Sequence, residues 1–338
     1  MKTLILPISL VAASLCALAA APTPDHKVSK QANWVAHLDF QSILNSRIGS
    51  HILDEARKDP QFTQQLNGLK AVFGLDFEKL GVATAYGSGK EDEAIILAHG
   101  GMNATQLEGF AALNEKVQIQ KRGKRTLYSF KKGAFSALGP HAVIAAPNQK
   151  LLAHGLDVLD GKAPSQAKSA VSSHLTGMID KPMAMMTMSI GKVMALQNQS
   201  IPAPQAAIMK KADLVGFALG ESGSSMRMAM ALRASDEETA VHLENVMRGA
   251  SSMLALGADV GIDPQLDEIL PKMKTSVTRK KRNVGLMVEI DTALVLAKIN
   301  EEMEKRSPKK DKLPQRSARG NNKNVGSLKI PTLPSPTR

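Results

Sequence analysis

The sequence predicts an α+β fold: two tandem ferredoxin-like modules of order β-α-β-β-α-β with antiparallel sheets, followed by a disordered basic C-terminal tail. Three observations carry this prediction. The segments "LGVATAYGSGKEDEAIILAHGGMNATQLEGFAALN" and "DLVGFALGESGSSMRMAMALRASDEETAVHLENVM" repeat one order of strand, glycine turn, strand and helix. Each is preceded by a strand running into a helix and followed by a further strand and helix. From Ser307 the chain is rich in Pro, Ser, Asn and basic residues and has no apolar period that could build a core.

The chain opens as a secretory leader. Met1-Lys2 is positive, an apolar run extends from Leu4 to Leu18, and Ala17 and Ala19 are small residues placed as a signal peptidase requires. We read residues 1–20 as a signal peptide, and the run is shorter than the ~20 residues of a spanning helix. Bulky Leu15 before Cys16 argues against lipidation. Cys16 is the only cysteine, so cleavage would leave a chain without disulfides, Cys-ligated zinc or a thiol nucleophile. The expected location is exported, periplasmic or extracellular, with no transmembrane span after cleavage.

The first module is placed at residues 31–164. It opens with "WVAHLDFQSILNSRIGSHILDEA", closes with "HAVIAAPNQKLLAHGLDVLD", and adds a hairpin strand, "TLYSF", with no counterpart in the second. The second module is placed at residues 172–304, after the linker "APSQAKSAVSS", and opens with "PMAMMTMSIGKVMAL". Asn103 with Gln106 and Ser235 with Glu238 read as capping pairs at equivalent helix starts. After Ser235, Ala240, Leu243, Met247, Ala250 and Leu254 step by three and four, as one buried helix face requires. The tail, residues 305–338, carries ten Lys and Arg against one acid, Asp311, so most of the formal charge of +12 belongs to it.

The strand Trp34 to Asp39, the paired strands from Leu80 to His99 and "LDVLDGKAP" at Leu156 to Pro164 resemble an uncharacterised family of exported bacterial proteins with a duplicated α+β module. The resemblance implies architecture and export. It carries no catalytic residue.

The methionines raise a metal question. In a ferredoxin-like module the first and third strands are adjacent, so "MAMMTM" is expected beside "MRMAMAL", and thioether clusters bind Cu(I) in oxidising compartments. Methionine is also an adaptable core filler. Met183 and Met185 on one face against Met186 and Met188 on the other imply burial on both sides, so core packing is the preferred reading and Cu(I) binding an alternative.

Enzyme signatures are weak. "GSGK" at Gly87 to Lys90 lacks the spacing of a phosphate loop and joins two strands, so it reads as a hairpin turn. "HGG" at His99 to Gly101 resembles part of a hydrolase oxyanion loop, but there is no GxSxG elbow. There is no HExxH pair. His37 and Asp39 share a strand face and could form a dyad. Only Phe217 of the eleven aromatics lies in the second module, which argues against a stacking platform for glycans or single strands; Trp34, Tyr86 and Tyr128 are the candidate small-ligand contacts.

Charge remains. "KRGKR" at Lys121 to Arg125 and "RKKR" at Arg279 to Arg282 could join the tail as a basic surface for an anionic envelope polymer or lipid surface. The expected function is non-enzymatic binding or scaffolding in the cell envelope. A hydrolase with a site assembled from both modules is the alternative. No catalytic residue, cofactor-binding residue or metal ligand is assigned, and no cofactor is expected.

Overall fold

The computed structural model describes residues 27–167, 169–191, 211–255 and 270–306. The expected signal peptide, and the expected tail beyond Arg306, lie outside the described residues. The described residues up to Ile299 form one compact unit, and those from Asn300 to Arg306 belong to a second. In the second, Lys305 pairs with Glu301 and Glu302 one turn back on the same helix.

Among the described residues, twelve strands make one antiparallel sheet. They are β1 (Trp34–Asp39), β2 (Leu75–Gly87), β3 (Ala94–Met102), β4 (Gln118–Arg122), β5 (Arg125–Phe130) and β6 (Gly133–Gly139). The remainder are β7 (Ala142–Ala146), β8 (Ala184–Ser189), β9 (Ala212–Ser222), β10 (Ser225–Ala234), β11 (Lys274–Lys280) and β12 (Asn283–Asp291). Their spatial order is β11-β12-β10-β9-β8-β1-β2-β3-β7-β6-β5-β4. The helices are α1 (Phe40–Asn45), α2 (Arg47–Arg57), α3 (Pro60–Phe73), α4 (Ala104–Ala112), α5 (Gln149–Leu159), α6 (Ala170–Met178), α7 (Glu237–Ala255) and α8 (Thr292–Arg306).

The α+β class and the antiparallel pairing agree with the sequence reading, but the ferredoxin-like arrangement does not. In each half the first three strands form a meander, and β7 or β12 then closes on β3 or β10. The first and third strands are therefore separated by the second. The two expected sheets are one, because β1 and β8 each have a module partner on one side only. Pairing the remaining edges satisfies both rows of backbone donors and acceptors. The β4–β5 hairpin extends the first half beyond β6, as the unmatched "TLYSF" suggested.

Side chains paired across neighbouring strands share a face. One row crosses all twelve strands: Ile119, Tyr128, Phe135, Ala145, Ile96, Ala85, Ala36, Met186, Phe217, Met230, Leu286 and Val277. Every member is apolar. Helices α4 and α7 cover the two ends of this face, around Tyr128 and Phe135 and around Leu232 and Val284. The opposite face holds α5 over Tyr86, Ile95, Leu97 and Ile144, and α6 over Met185, Ala218, Ala229 and Ala231. Helices thus pack on both faces of the sheet.

Helix starts are partly as read. Asn103 caps α4 by accepting from the Gln106 N–H at 3.1 Å, but the Gln106 amide donates to the Ala71 carbonyl instead of reaching back. At α7 the cap is Asp236, accepting from the Thr239 N–H at 2.7 Å, while Ser235 donates to the Asp236 carboxylate. A carboxylate is the stronger acceptor at the positive end of a helix, so the start moves one residue. Ala240, Leu243 and Met247 are buried as expected; Ala250 is exposed. Helix α6 begins inside the expected linker, with Ser169 as its cap.

Candidate functional site

Small residues at alternate positions make a shallow trench under α6. A Cβ on Gly216 would stand 2.7 Å from Val171 and Leu175, and one on Gly220 2.6 Å from Ile179. On β12 a Cβ on Gly285 would stand 2.5 Å from the Met178 sulfur and 2.9 Å from His174 Nε2. Without those side chains the helix lies deep against β9, β10 and β12. It stops short of β11, the edge strand.

Between α6 and the β11–β12 hairpin this leaves a cleft of about 770 Å³. Ser173, His174 and Gly177 line the helix side, with Ser276, Thr278, Lys280 and Lys281 opposite and Met178, Asn283 and Met287 below. No carboxylate is among the described lining residues. His174 Nε2 lies 3.3 Å from Thr278 Oγ1. Burial, and then the charge of Lys280, hold the His174 imidazole below its ordinary pKa. Asn283 Oδ1 is buried without a partner, an acceptor left unmatched where buried acceptors are nearly always satisfied.

The basic turns that the sequence singled out are not alike. In "RKKR", Arg279 turns to the other face, where its Nε is 2.6 Å from Glu244, and Arg282 donates to the Ser235 carbonyl at 2.7 Å. Bonds from Arg248 and Arg279 hold the Glu244 carboxyl below the usual range. Lys280 and Lys281 remain for the cleft, and Lys281 occupies the turn at φ 54, a region favouring glycine. In "KRGKR", Arg122 forms a bidentate pair with Asp157 and donates to the Ala153 carbonyl, and Arg125 pairs with Asp160. That turn is bolted to α5. The two motifs also belong to hairpins at opposite edges of the sheet.

The remaining candidates are structural. His37 Nδ1 lies 3.1 Å from Thr84 Oγ1 in the buried sheet, whereas Asp39 caps α1 through the Ser42 N–H and hydroxyl, so they form no dyad. In "HGG", Gly100 and Gly101 have φ of 81° and 61° and let the irregular stretch Asp76 to Gly81 approach. A Cβ on Gly101 would stand 2.4 Å from the Asp76 carbonyl oxygen. "GSGK" is the β2–β3 hairpin turn. Tyr86 is buried, which raises its hydroxyl to about 12, and Tyr128 stacks on Phe135. Met185 packs under α6, while Met186 and Met188 lie on the opposite face and β9 separates them from Met228 and Met230. The adjacency expected of a thioether pair of strands is absent. Among the described residues no group of three or more His, Cys, Asp or Glu could hold a metal ion.

The α6 cleft itself was missed in the sequence, although its signal was there: Gly216, Ala218 and Gly220 recur with period two beneath a helix taken for a linker.

No protein-family model matches the chain. No curated protein matches it. Among solved structures it is similar to crystal form IV of TP0453, at 7% identity and TM-score 0.47 over 82% of this chain and 97% of that one. Crystal form III of TP0453 gives 8% identity and TM-score 0.44 over 83% and 99%. No helix among the described residues is long and apolar enough to cross a membrane.

Proposed function

We propose that the chain is an exported, non-enzymatic binding protein of the cell envelope, and that it holds an anionic partner at the cleft between α6 and the β11–β12 hairpin. One observation carries the reading: Lys280 and Lys281 line a cleft that has no described carboxylate, while the neighbouring guanidiniums of Arg279 and Arg282 are engaged elsewhere. A cation pair without a counter-charge attracts anions over about a Debye length. The basic residues after Lys305 would add sequence-independent attraction, and the leader supports export. Catalysis is not part of the reading, because Ser173 and His174 have no carboxylate beside them in the cleft to orient the imidazole.

The test is retention of the mature chain on an immobilised sulfated polysaccharide. Lys280→Gln with Lys281→Gln, and separately a chain ending at Glu304, should each elute at lower salt than the parent. Unchanged elution of the lysine variant refutes the cleft reading, whatever the shortened chain does.

A further inference from the structure

The cleft has the makings of a defined small-anion site and not only a charged surface. We propose that it receives a single tetrahedral oxyanion group, a phosphate or sulfate ester, between Lys280, Lys281, Thr278 and His174, and that each binding event takes up one proton from solvent at His174. This rests on the reading of the cleft as the anion-binding element.

The geometry supplies the parts. Thr278 and Lys280 alternate on one face of β11, so the hydroxyl and the ammonium point to the same side of the strand. The His174 imidazole stands against them from α6, in contact distance of Thr278 Oγ1 at 3.3 Å. Hydroxyl, imidazolium and ammonium are all donors, as an oxyanion with several lone pairs requires. Asn283 adds a buried carbonyl oxygen without a partner, suited to a hydroxyl of the same ligand.

The proton follows from the charges around the ring. Described groups facing His174 are Ser173 on its own helix, Ser276, Thr278 and Lys280 on β11, Lys281 in the turn, and Asn283, Gly285 and Met287 on β12. The charged groups are Lys280, Lys281 and Arg279, which also lines the cleft but whose guanidinium is held by Glu244. In the empty cleft, burial and Lys280 disfavour the imidazolium. A bound oxyanion opposes the second effect and gives the imidazolium a partner, so the bound state holds more protons than the free state. Affinity therefore rises as pH falls through the interval between the two His174 pKa values, by at most about tenfold per pH unit for one proton.

Calorimetric titration of the full mature chain with sodium sulfate, a dianion throughout this range, tests the inference at about pH 5.5 and about pH 7.5. We expect sulfate to bind several-fold tighter at the lower pH, with a heat that changes with the buffer's ionisation enthalpy in the sense of proton uptake. His174→Gln should bind at the higher pH within about twofold of the parent and show no gain at the lower. Lys280→Gln with Lys281→Gln should lose at least about tenfold at both. Methyl phosphate and methyl sulfate compared at the higher pH separate the sources: whichever ester binds tighter names the group, and either supports the site. Sulfate binding with neither pH dependence nor proton uptake overturns the inference and leaves the anion-binding reading standing. Binding of neither anion, with retention on the polysaccharide still lowered by the lysine substitutions, also overturns the inference alone; loss of that retention effect as well takes both.

Discussion

Ala36 of β1 and Met186 of β8 face each other at the centre of the sheet, with Trp34 opposite Met188 on one side and Leu38 opposite Ala184 on the other. The register is symmetric about that pair, so the two halves meet first strand to first strand. Each half supplies the other's missing edge. Urea unfolding should therefore be one transition, with Trp34 fluorescence and far-UV circular dichroism superimposing. Two separated transitions would show halves that fold independently.

His37 is 3% exposed, and burial lowers its pKa from 6.5 to about 4. Between those values the unfolded chain binds the proton and the folded chain does not, so stability is present above pH 6.5 and is lost as pH falls towards 4. The loss is roughly 3 kcal/mol at 1.36 kcal/mol per unit. Denaturant midpoints measured across this window should show a shallower pH slope for His37→Gln. An unchanged slope would place the titration elsewhere.

Gly216 lies under Val171 and Leu175. Gly216→Val should cost about 1–3 kcal/mol by overpacking and lift α6 from the trench. Thermal unfolding measures the first effect. Because the cleft's inner wall is that helix, anion retention should fall as well, although no cleft residue is changed.

Arg122 and Lys281 predict opposite outcomes from their two basic turns. Arg122→Gln removes a half-exposed bidentate pair with Asp157, so stability should drop by about 1 kcal/mol with no change in the salt needed for elution. Lys281→Gly relieves a left-handed backbone and should raise stability by about 0.5–1 kcal/mol while weakening anion retention. Equal losses of retention in the two variants would mean that charge count matters and the cleft does not.

Three residues with 37–45% exposure, Phe217, Met228 and Ile96, lie on the sheet face between α4 and α7. The period of two along a strand puts Met228 and Met230 on one face. It could not show that Phe217 and Ile96 join them, because that requires knowing which strand pairs with which. The same limit explains the ferredoxin-like error. A strand's alternation reports which residues share a face and is silent about its neighbours, and a meander and a crossover present the same β-α-β-β-α-β order along the chain.

Local features were determined by the sequence itself: the hairpin at "GSGK", the extra strand "TLYSF", the cap at Asn103 and the buried positions Ala240, Leu243 and Met247 of α7. Each depends on side chains within a few residues of one another. Only the tertiary structure decided that β1 and β8 fuse the halves into one sheet and that Arg279 and Arg122 are engaged while Lys280 and Lys281 remain. It also decided that the glycines of β9 and β12 seat α6 beside the edge strand to form the cleft. Those outcomes depend on partners up to 154 residues apart, the separation of Trp34 and Met188 across the β1–β8 pairing. No local preference encodes such a distance; it is settled by which edges and which charges can be satisfied together.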